Sequence, residues 1–146
     1  MISIVLKKVS DSAIIKEILD SCKDSLFDDS VNDRLDGLSV KFAENAEFVA
    51  VIIDNGYAGY IAFYCNDEVS KQAYLSMITV RSDYQHKGIG SLLMDYMIST
   101  VRINNFESIK LEVNKNNDKA KMFYHRYGFK KVSEKDESLF LLLEIE

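Results

Sequence analysis

The stretch QHKGIG, residues 85–90, stands between a β-rich run, AYLSMITV, and a run with helical periodicity, SLLMDYMISTV. Two glycines separated by one residue at such a junction have two explanations. Glycine can provide a tight turn, because it adopts backbone conformations that other residues avoid. It can also let an anion approach the first turn of the helix, where unpaired N–H groups and the helix dipole favour negative charge.

The elements on either side of this junction predict an α+β fold. Upstream, the patterns predict a strand in ISIVLKKV, a helix over residues 11–22 with Ile14, Ile15, Ile18 and Leu19 on one face, a helix over 31–44, and a hairpin, AEFVAVII–DNG–YAGYIAFYC. Downstream, they predict a helix over 88–103, a strand in SIKLEVN, a helix from Asn116 or Asn117 to Gly128, and a final strand pair in FKKVSE and SLFLLLEI. We therefore expect a mostly antiparallel central sheet of about seven strands, flanked by about four helices, with one parallel strand–helix–strand crossover.

The composition is typical of a globular chain, and residues 1–146 read as a single domain. Hydrophobic residues make up 47% and charged residues 28%, there is no proline, and no apolar run is long enough to span a membrane. The N-terminus lacks the pattern of a signal peptide, and Cys22 and Cys65 lack a motif spacing. These features predict a cytoplasmic protein, and the net charge of −5 disfavours nucleic acid as a partner.

Positive charge near the glycines, at Arg81, His86 and Lys87, suits a pyrophosphate. Two familiar phosphate motifs do not fit. A Walker A loop requires a Gly-Lys-Ser/Thr sequence that the chain lacks here. A Rossmann fingerprint requires a third glycine, and this chain has Leu93 at that position. A Rossmann fold also begins with its fingerprint, whereas here a long antiparallel segment precedes the glycines. Glu112 does stand near the position expected for the ribose-binding acid of that fold.

Two motifs together resemble the GNAT superfamily of N-acetyltransferases. QHKGIG fits [Q/R]-x-x-G-x-[G/A], and NDKAKMFYHRYGF, residues 117–129, fits N-x-x-A-x-x-x-Y-x-x-x-G-F. The resemblance implies transfer of an acetyl group from acetyl-coenzyme A, a donor co-substrate, to a primary amine. Neither His86 nor His125 has companions at metal-ligand spacing, so we expect no metal. It implies that the coenzyme contacts Ile78, Thr79, Val80, Gln85, His86, Lys87, Gly88, Ile89, Gly90, Ser91 and Asn117. The predicted strand AYLSMITV would bind the pantetheine arm through Ile78 and Val80.

The resemblance also suggests catalytic residues, each with a structural alternative. Tyr124 matches the family's general acid, or it is a core tyrosine on an apolar helix face. Glu112, on the opposite face from Leu111 and Val113, is expected to be partly buried and to act as the general base. It could instead be a structural glutamate, with a water chain as the base. Asn117 could bind pantetheine, cap its helix or do both, and the N–H of Ile78 would stabilise the oxyanion.

The acceptor is the least defined part. Acidic residues Asp24, Asp28, Asp29, Asp33 and Asp36 would attract a cationic amine, or they simply form a loop and a helix cap. The amine could belong to a small molecule, an amino sugar or a peptide N-terminus. A second function class is an acyl-coenzyme A binding sensor without turnover. The run SLFLLLEI is too apolar for an exposed edge, so it is central in the sheet or covered in a homodimer.

Overall fold

A seven-stranded mixed sheet organises the chain, as predicted, in a computed structural model that describes residues 2–25 and 35–146. The strands are β1 Ile4–Lys8, β2 Glu47–Ile53, β3 Gly56–Tyr64, β4 Gln72–Val80, β5 Ser108–Asn114, β6 Lys130–Lys135 and β7 Ser138–Glu144. The α-helices within the described ranges are α1 Ser12–Cys22, α2 Leu35–Asn45, α3 Ile89–Ile103 and α4 Asp118–Arg126. None of these helices is long and apolar enough to cross a membrane.

The strand order is β1-β2-β3-β4-β5-β7-β6, and every pair is antiparallel except β4–β5. The parallel pair is joined through α3, which confirms the predicted crossover. Strand β7 lies between β5 and β6, so the apolar run SLFLLLEI is interior to the sheet of one chain. Its composition therefore gives no reason of its own to expect a second subunit.

Local signals explain how two of these elements form. Asp54 and Asn55 both have positive φ angles, 48° and 72°, which is the geometry of the two-residue hairpin turn expected from DNG. The Asp11 carboxylate accepts hydrogen bonds from the N–H groups of Ala13 and Ile14, at 2.8 and 3.2 Å, and so caps α1. The side chain of Ile14 is 36% exposed, so its expected place on the buried face of α1 is wrong.

The sheet separates two hydrophobic cores. Helices α1 and α2 cover the face of β2 and β3 that carries Phe48 and Tyr60. Helices α3 and α4 pack on the other face, against Ile109, Leu111 and Val113 of β5. Six residues of β4, β5 and β7 that point away from this second core are exposed or half-buried, and they form what we call the open sheet face. Its members are Tyr74, Lys110, Glu112, Ser138, Phe140 and Leu142.

Candidate active site

Strands β4 and β5 separate part of the way along the sheet. Their pairing runs from Gln72↔Ser108 to Leu75↔Leu111, and a bulge at Ser76 follows at once on β4. The remaining residues of both strands, up to Val80 and Asn114, continue without pairing to each other. We call this opening between the two strands the fork.

The backbone of β4 offers hydrogen-bonding groups to the fork. Arg81 donates its backbone N–H to Ala58 of β3, at 2.8 Å. Strand alternation therefore directs the backbone groups of Val80 and Ile78 away from β3 and toward the side that β5 has left. The carbonyl of Val80 already accepts a hydrogen bond from Gln85 Nε2, at 3.0 Å. Thr79 lies between them, pairs with Tyr60 on β3, and has a buried side chain.

The two glycines of QHKGIG have different structural roles. Gly88 precedes α3 with a φ of 81°, a left-handed conformation, and no heavy atom lies within 4 Å of the position a Cβ would take. Its requirement is conformational. Gly90 lies in the first turn, where a Cβ would approach Phe123 Cε1 to 3.3 Å. Its requirement is close packing of α3 against α4.

The start of α3 presents free donors to solvent. Gly88 has no side chain to cap the helix, and the first helical hydrogen bond runs from Leu92 N–H to the Gly88 carbonyl, at 3.0 Å. The N–H groups of Ile89, Gly90 and Ser91 therefore remain for an external acceptor. His86 and Lys87 are exposed beside them, and His86 has a positive φ of 64°. The arrangement suits an anion.

A residue that the sequence did not single out connects the glycine loop to α4. Lys119, in the first turn of α4, donates a hydrogen bond from its Nζ to Gln85 Oε1. Two further cations flank the ring of Tyr84, with Lys87 Nζ 5.7 Å and Arg81 Cζ 5.8 Å from the ring centroid. The sequence around Lys119 does not predict this contact, because Gln85 is distant in sequence. Lys87 and Lys119 therefore place positive charge near the donors of α3, whereas the Arg81 guanidinium is paired with the Asp83 carboxylate, at 3.4 Å.

Asn117 caps α4. Its Oδ1 accepts a hydrogen bond from the N–H of Ala120, at 3.1 Å, so one of its two expected roles is observed. The side chain is half-buried, and its contact with pantetheine stays a prediction.

Tyr124 lies on the buried face of α4. Its side chain is 9% exposed, and its ring packs edge-to-face against Phe123 and Phe129, with centroids 5.6 and 5.7 Å away. None of the described residues hydrogen-bonds its hydroxyl group. Burial raises the pKa of this phenol to about 12, so it holds its proton at neutral pH. The residue therefore belongs to the core and also carries a proton that it can donate.

Glu112 is exposed, so its expected partial burial is wrong. The α1–α2 layer covers β2 and β3, and Glu112 points to the same side from β5, on the open sheet face. It is the first residue of β5 beyond the last β4–β5 pair, which places it at the fork. Ser138 donates a hydrogen bond from its Oγ to Glu112 Oε2, at 3.2 Å.

Tyr74 is a neighbour of Glu112 that the sequence gave no reason to choose. It lies on β4 directly opposite Lys110 of β5. Its pKa is raised, first by burial and then by the negative charge of Glu112. The open sheet face therefore carries a phenol, in the paired region of β4 and β5, close enough to the Glu112 carboxylate at the fork to feel its charge.

The remaining predicted features cannot be placed in full. Asp24 lies in a short 3-10 turn, Lys23–Ser25, and Asp36 lies in α2. Asp28, Asp29 and Asp33 lie outside the described residues. Within residues 2–25 and 35–146, no group of three or more histidine, cysteine, aspartate or glutamate side chains could hold a metal ion.

This α+β fold, with a fork in its sheet beside a glycine loop, is the architecture that the sequence predicted, and a family comparison identifies the class of protein. The family model described as "Acetyltransferase (GNAT) family" matches residues 13–129. The chain belongs to this family.

Individual relatives agree with this assignment. The Drosophila melanogaster protein named "Probable N-acetyltransferase san" is 27% identical over 106 residues, which cover 64% of this chain. The match spans 58% of that relative's own length. The crystal structure of PaiA N-acetyltransferase from Thermoplasma acidophilum in complex with coenzyme A has a TM-score of 0.77, with 17% identity, and covers 97% of this chain and 99% of its own. An aminoglycoside 6′-acetyltransferase type Ii has a TM-score of 0.80, with 16% identity and 97% coverage of both chains. At these identities, the two structures show the shared fold.

Proposed function

We propose that the protein is an N-acetyltransferase that moves an acetyl group from acetyl-coenzyme A to a primary amine. The observation that carries this proposal is the fork between β4 and β5, with the uncapped start of α3 at one side of it. One element offers backbone hydrogen bonds to an extended arm, and the other offers N–H donors and positive charge to a pyrophosphate. Coenzyme A contains both groups, joined in one molecule.

The donor would lie along β4 and across the start of α3. Pantetheine would add to β4 like another strand, with hydrogen bonds to the backbone of Ile78 and Val80. The pyrophosphate would accept hydrogen bonds from the first turn of α3, and Lys87 and Lys119 would neutralise its charge. Of the other expected contacts, Gln85, His86 and Asn117 would flank this path, and Thr79 would contribute only by connecting Ile78 to Val80, because its side chain is buried.

Transfer would proceed by direct attack of the amine on the thioester. A neutral amine forms a C–N bond to the acetyl carbon, the C–S bond breaks, and the coenzyme leaves as a thiolate. Tyr124 would give its phenolic proton to that thiolate, since burial keeps the phenol protonated at neutral pH. The nitrogen, which is positively charged after the attack, would release a proton to give the neutral amide, and the Tyr124 phenolate would regain a proton through water. The N–H of Ile78 would stabilise the oxyanion that forms before the C–S bond breaks.

The amine must lose a proton before it attacks, because a primary amine is mainly protonated at neutral pH. Glu112 would accept that proton, directly or through water, from its position at the fork. Its exposure lets water reach it, and the Ser138 hydroxyl fixes one of its oxygens. A water chain without a carboxylate is the alternative, and Glu112→Gln separates the two. A base role predicts a loss of turnover of roughly 100-fold that a higher pH partly restores, whereas a water chain predicts little change.

The acceptor remains a small-molecule amine, an amino sugar or a peptide N-terminus. A cytoplasmic location, a single acetyltransferase domain over residues 1–146 and a possible homodimer also remain predictions. A sensor that binds acyl-coenzyme A without turnover would use the same fork and loop, but it would have no need for a buried phenol at position 124.

Calorimetric titration with acetyl-coenzyme A and with free coenzyme A tests the donor half. We expect micromolar binding that Gly88→Val weakens strongly, because a β-branched residue is strained at a φ of 81°. Gly37→Ala is the matched control, since no atom lies within 4 Å of its Cβ position and it is far from the loop in sequence. Thiol release on addition of amines then tests turnover. Binding without thiol release would favour the sensor, and a folded protein that binds neither ligand would refute both functions.

A further inference from the structure

The open sheet face carries a positive charge, on Lys110, that pairs with none of the described carboxylates and lies near the proposed general base. Lys110 is half-buried on β5, with its Nζ 5.5 Å from the centroid of the Phe140 ring. Within the described part of the chain, Lys110 forms no ion pair. A cation held over an aromatic ring by a sheet is positioned without its charge being neutralised.

Lys110 and Glu112 carry opposite charges on the same side of β5. They lie two positions apart on this strand, so their side chains point the same way and their Cα atoms are about 7 Å apart. Glu112 is at the fork, and Lys110 is one step further into the paired region, opposite Tyr74. A molecule that places its amine at Glu112 and extends over the sheet toward Tyr74 must pass Lys110.

We propose that Lys110 determines acceptor specificity, by selecting amines that carry an anionic group a few bonds away from the reacting nitrogen. This inference rests on the proposed function, because it takes the amine to lie at Glu112. The amine end meets a carboxylate, the anionic end meets an ammonium, and the part between them lies against Phe140 and Leu142. A cationic group at the same distance is repelled, and a neutral group gains nothing from Lys110.

The fold supports this direction for the acceptor. The coenzyme path proposed above lies on β4 and α3, where residues beyond the bulge face the fork. The open sheet face lies beside the fork and is covered by none of the described helices, and Tyr74, Phe140 and Leu142 give it an apolar floor. The pair Lys110 and Glu112 adds charge complementarity to a zwitterionic acceptor, which an apolar face alone would not provide.

Two series of matched acceptors test the inference. One consists of ε-aminocaproate, its amide and hexamethylenediamine, which share a carbon chain and differ in the distal charge. The other consists of peptides with a free N-terminus and glutamate, glutamine or lysine at the second position. For each, kcat/KM is measured by thiol release, and equilibrium binding to protein saturated with free coenzyme A is measured by NMR titration, which does not require turnover.

We expect a roughly fivefold preference for the anionic member over the neutral one, which corresponds to about 1 kcal/mol and is typical of an exposed ion pair. Lys110→Met should abolish the preference, Lys110→Arg should keep it, and Lys110→Glu should shift it toward the cationic member. Lys7→Met, at the far edge of the sheet, removes the same charge and should leave the preference unchanged.

The outcomes separate this inference from the proposed function. Transfer without charge preference, or a preference that survives Lys110→Met, overturns the role of Lys110 and leaves the transferase intact. A binding preference that depends on Lys110, without any transfer, supports the inference and contradicts catalysis. Absence of both binding and transfer for all acceptors overturns both. A change of oligomeric state in Lys110→Met, with selectivity unchanged, would show instead that a second copy covers this face.

Discussion

Replacement of Tyr124 by phenylalanine removes one hydroxyl group and leaves the rest of the side chain in place. The edge-to-face contacts of the ring with Phe123 and Phe129, at 5.6 and 5.7 Å between centroids, do not involve the hydroxyl. If the phenol protonates the leaving thiolate, its loss should lower kcat by roughly 100- to 10,000-fold, as is usual for a general acid. That range corresponds to about 2.7–5.4 kcal/mol in the activation free energy.

The same substitution should not destabilise the fold. The Tyr124 hydroxyl is in a side chain that is 9% exposed, and none of the described residues hydrogen-bonds it. Its removal breaks no hydrogen bond with the described residues, and the buried unpaired hydroxyl groups among them are those of Tyr60 and Tyr64, not that of Tyr124. We therefore expect the free energy of unfolding to stay within about 1 kcal/mol of its original value.

Tyr127→Phe provides the matched control on the same helix end. The Tyr127 hydroxyl donates to the carbonyl of Ser91, at 3.3 Å, and contacts Asp95 at 3.2 Å. Its loss should cost about 1 kcal/mol of stability and leave turnover nearly unchanged. Stopped-flow thiol release, urea unfolding and coenzyme A calorimetry measure the three quantities for both variants. Turnover within threefold of the unsubstituted protein in Tyr124→Phe would refute the acid role, and Tyr124 would then be a core tyrosine.

Three further predictions concern stability. Folding raises the pKa of Tyr124 from 10.0 to about 12, so the unfolded chain loses this proton first as the pH rises. The free energy of unfolding should therefore fall by about 1.4 kcal/mol per pH unit between pH 10 and 12. Urea unfolding should show a shallower alkaline decline for Tyr124→Phe. Gly59→Ala should destabilise the fold by about 1–3 kcal/mol or prevent folding, because its Cβ would clash with the backbone oxygen of Thr79. Gly37 lies in a helix with open space around it, so Gly37→Ala should raise the free energy of unfolding by about 0.5–1 kcal/mol. Asp11→Ala should cost about 1 kcal/mol in chemical denaturation through loss of the α1 cap, and an unchanged midpoint would contradict that.

The sequence predicted the elements whose causes are local. The hairpin follows from Asp54 and Asn55, which tolerate the positive φ angles of the turn. The cap at Asn117 follows from a side chain that reaches an N–H group three residues away. The parallel crossover follows because a strand, a helix and a strand in succession can return to one sheet in only one common way.

The errors and omissions all depend on contacts between distant segments. The burial of Glu112 could not be judged, because it depends on whether a helix from the first third of the chain extends over β5. The role of Tyr74 depends on a register, Tyr74↔Lys110, that strand patterns do not specify. Lys119 contacts Gln85, 34 positions away, and nothing in the local sequence of either residue indicates that pair.

The two family motifs form one physical unit although about 30 residues separate them. Gly90 allows α3 to approach Phe123 closely, and the neighbouring Tyr124 occupies a fixed place on the same helix. Gln85 joins the carbonyl of Val80 to Lys119 and so connects the end of β4 to the first turn of α4. The loop that would bind pyrophosphate and the helix that would carry the acid are therefore held together by packing and by hydrogen bonds. Gly90 would then have two roles, because it lets α4 pack closely enough to position Tyr124 and it lets a phosphate approach the backbone. The structural and the ligand-binding explanations of the glycines are therefore compatible.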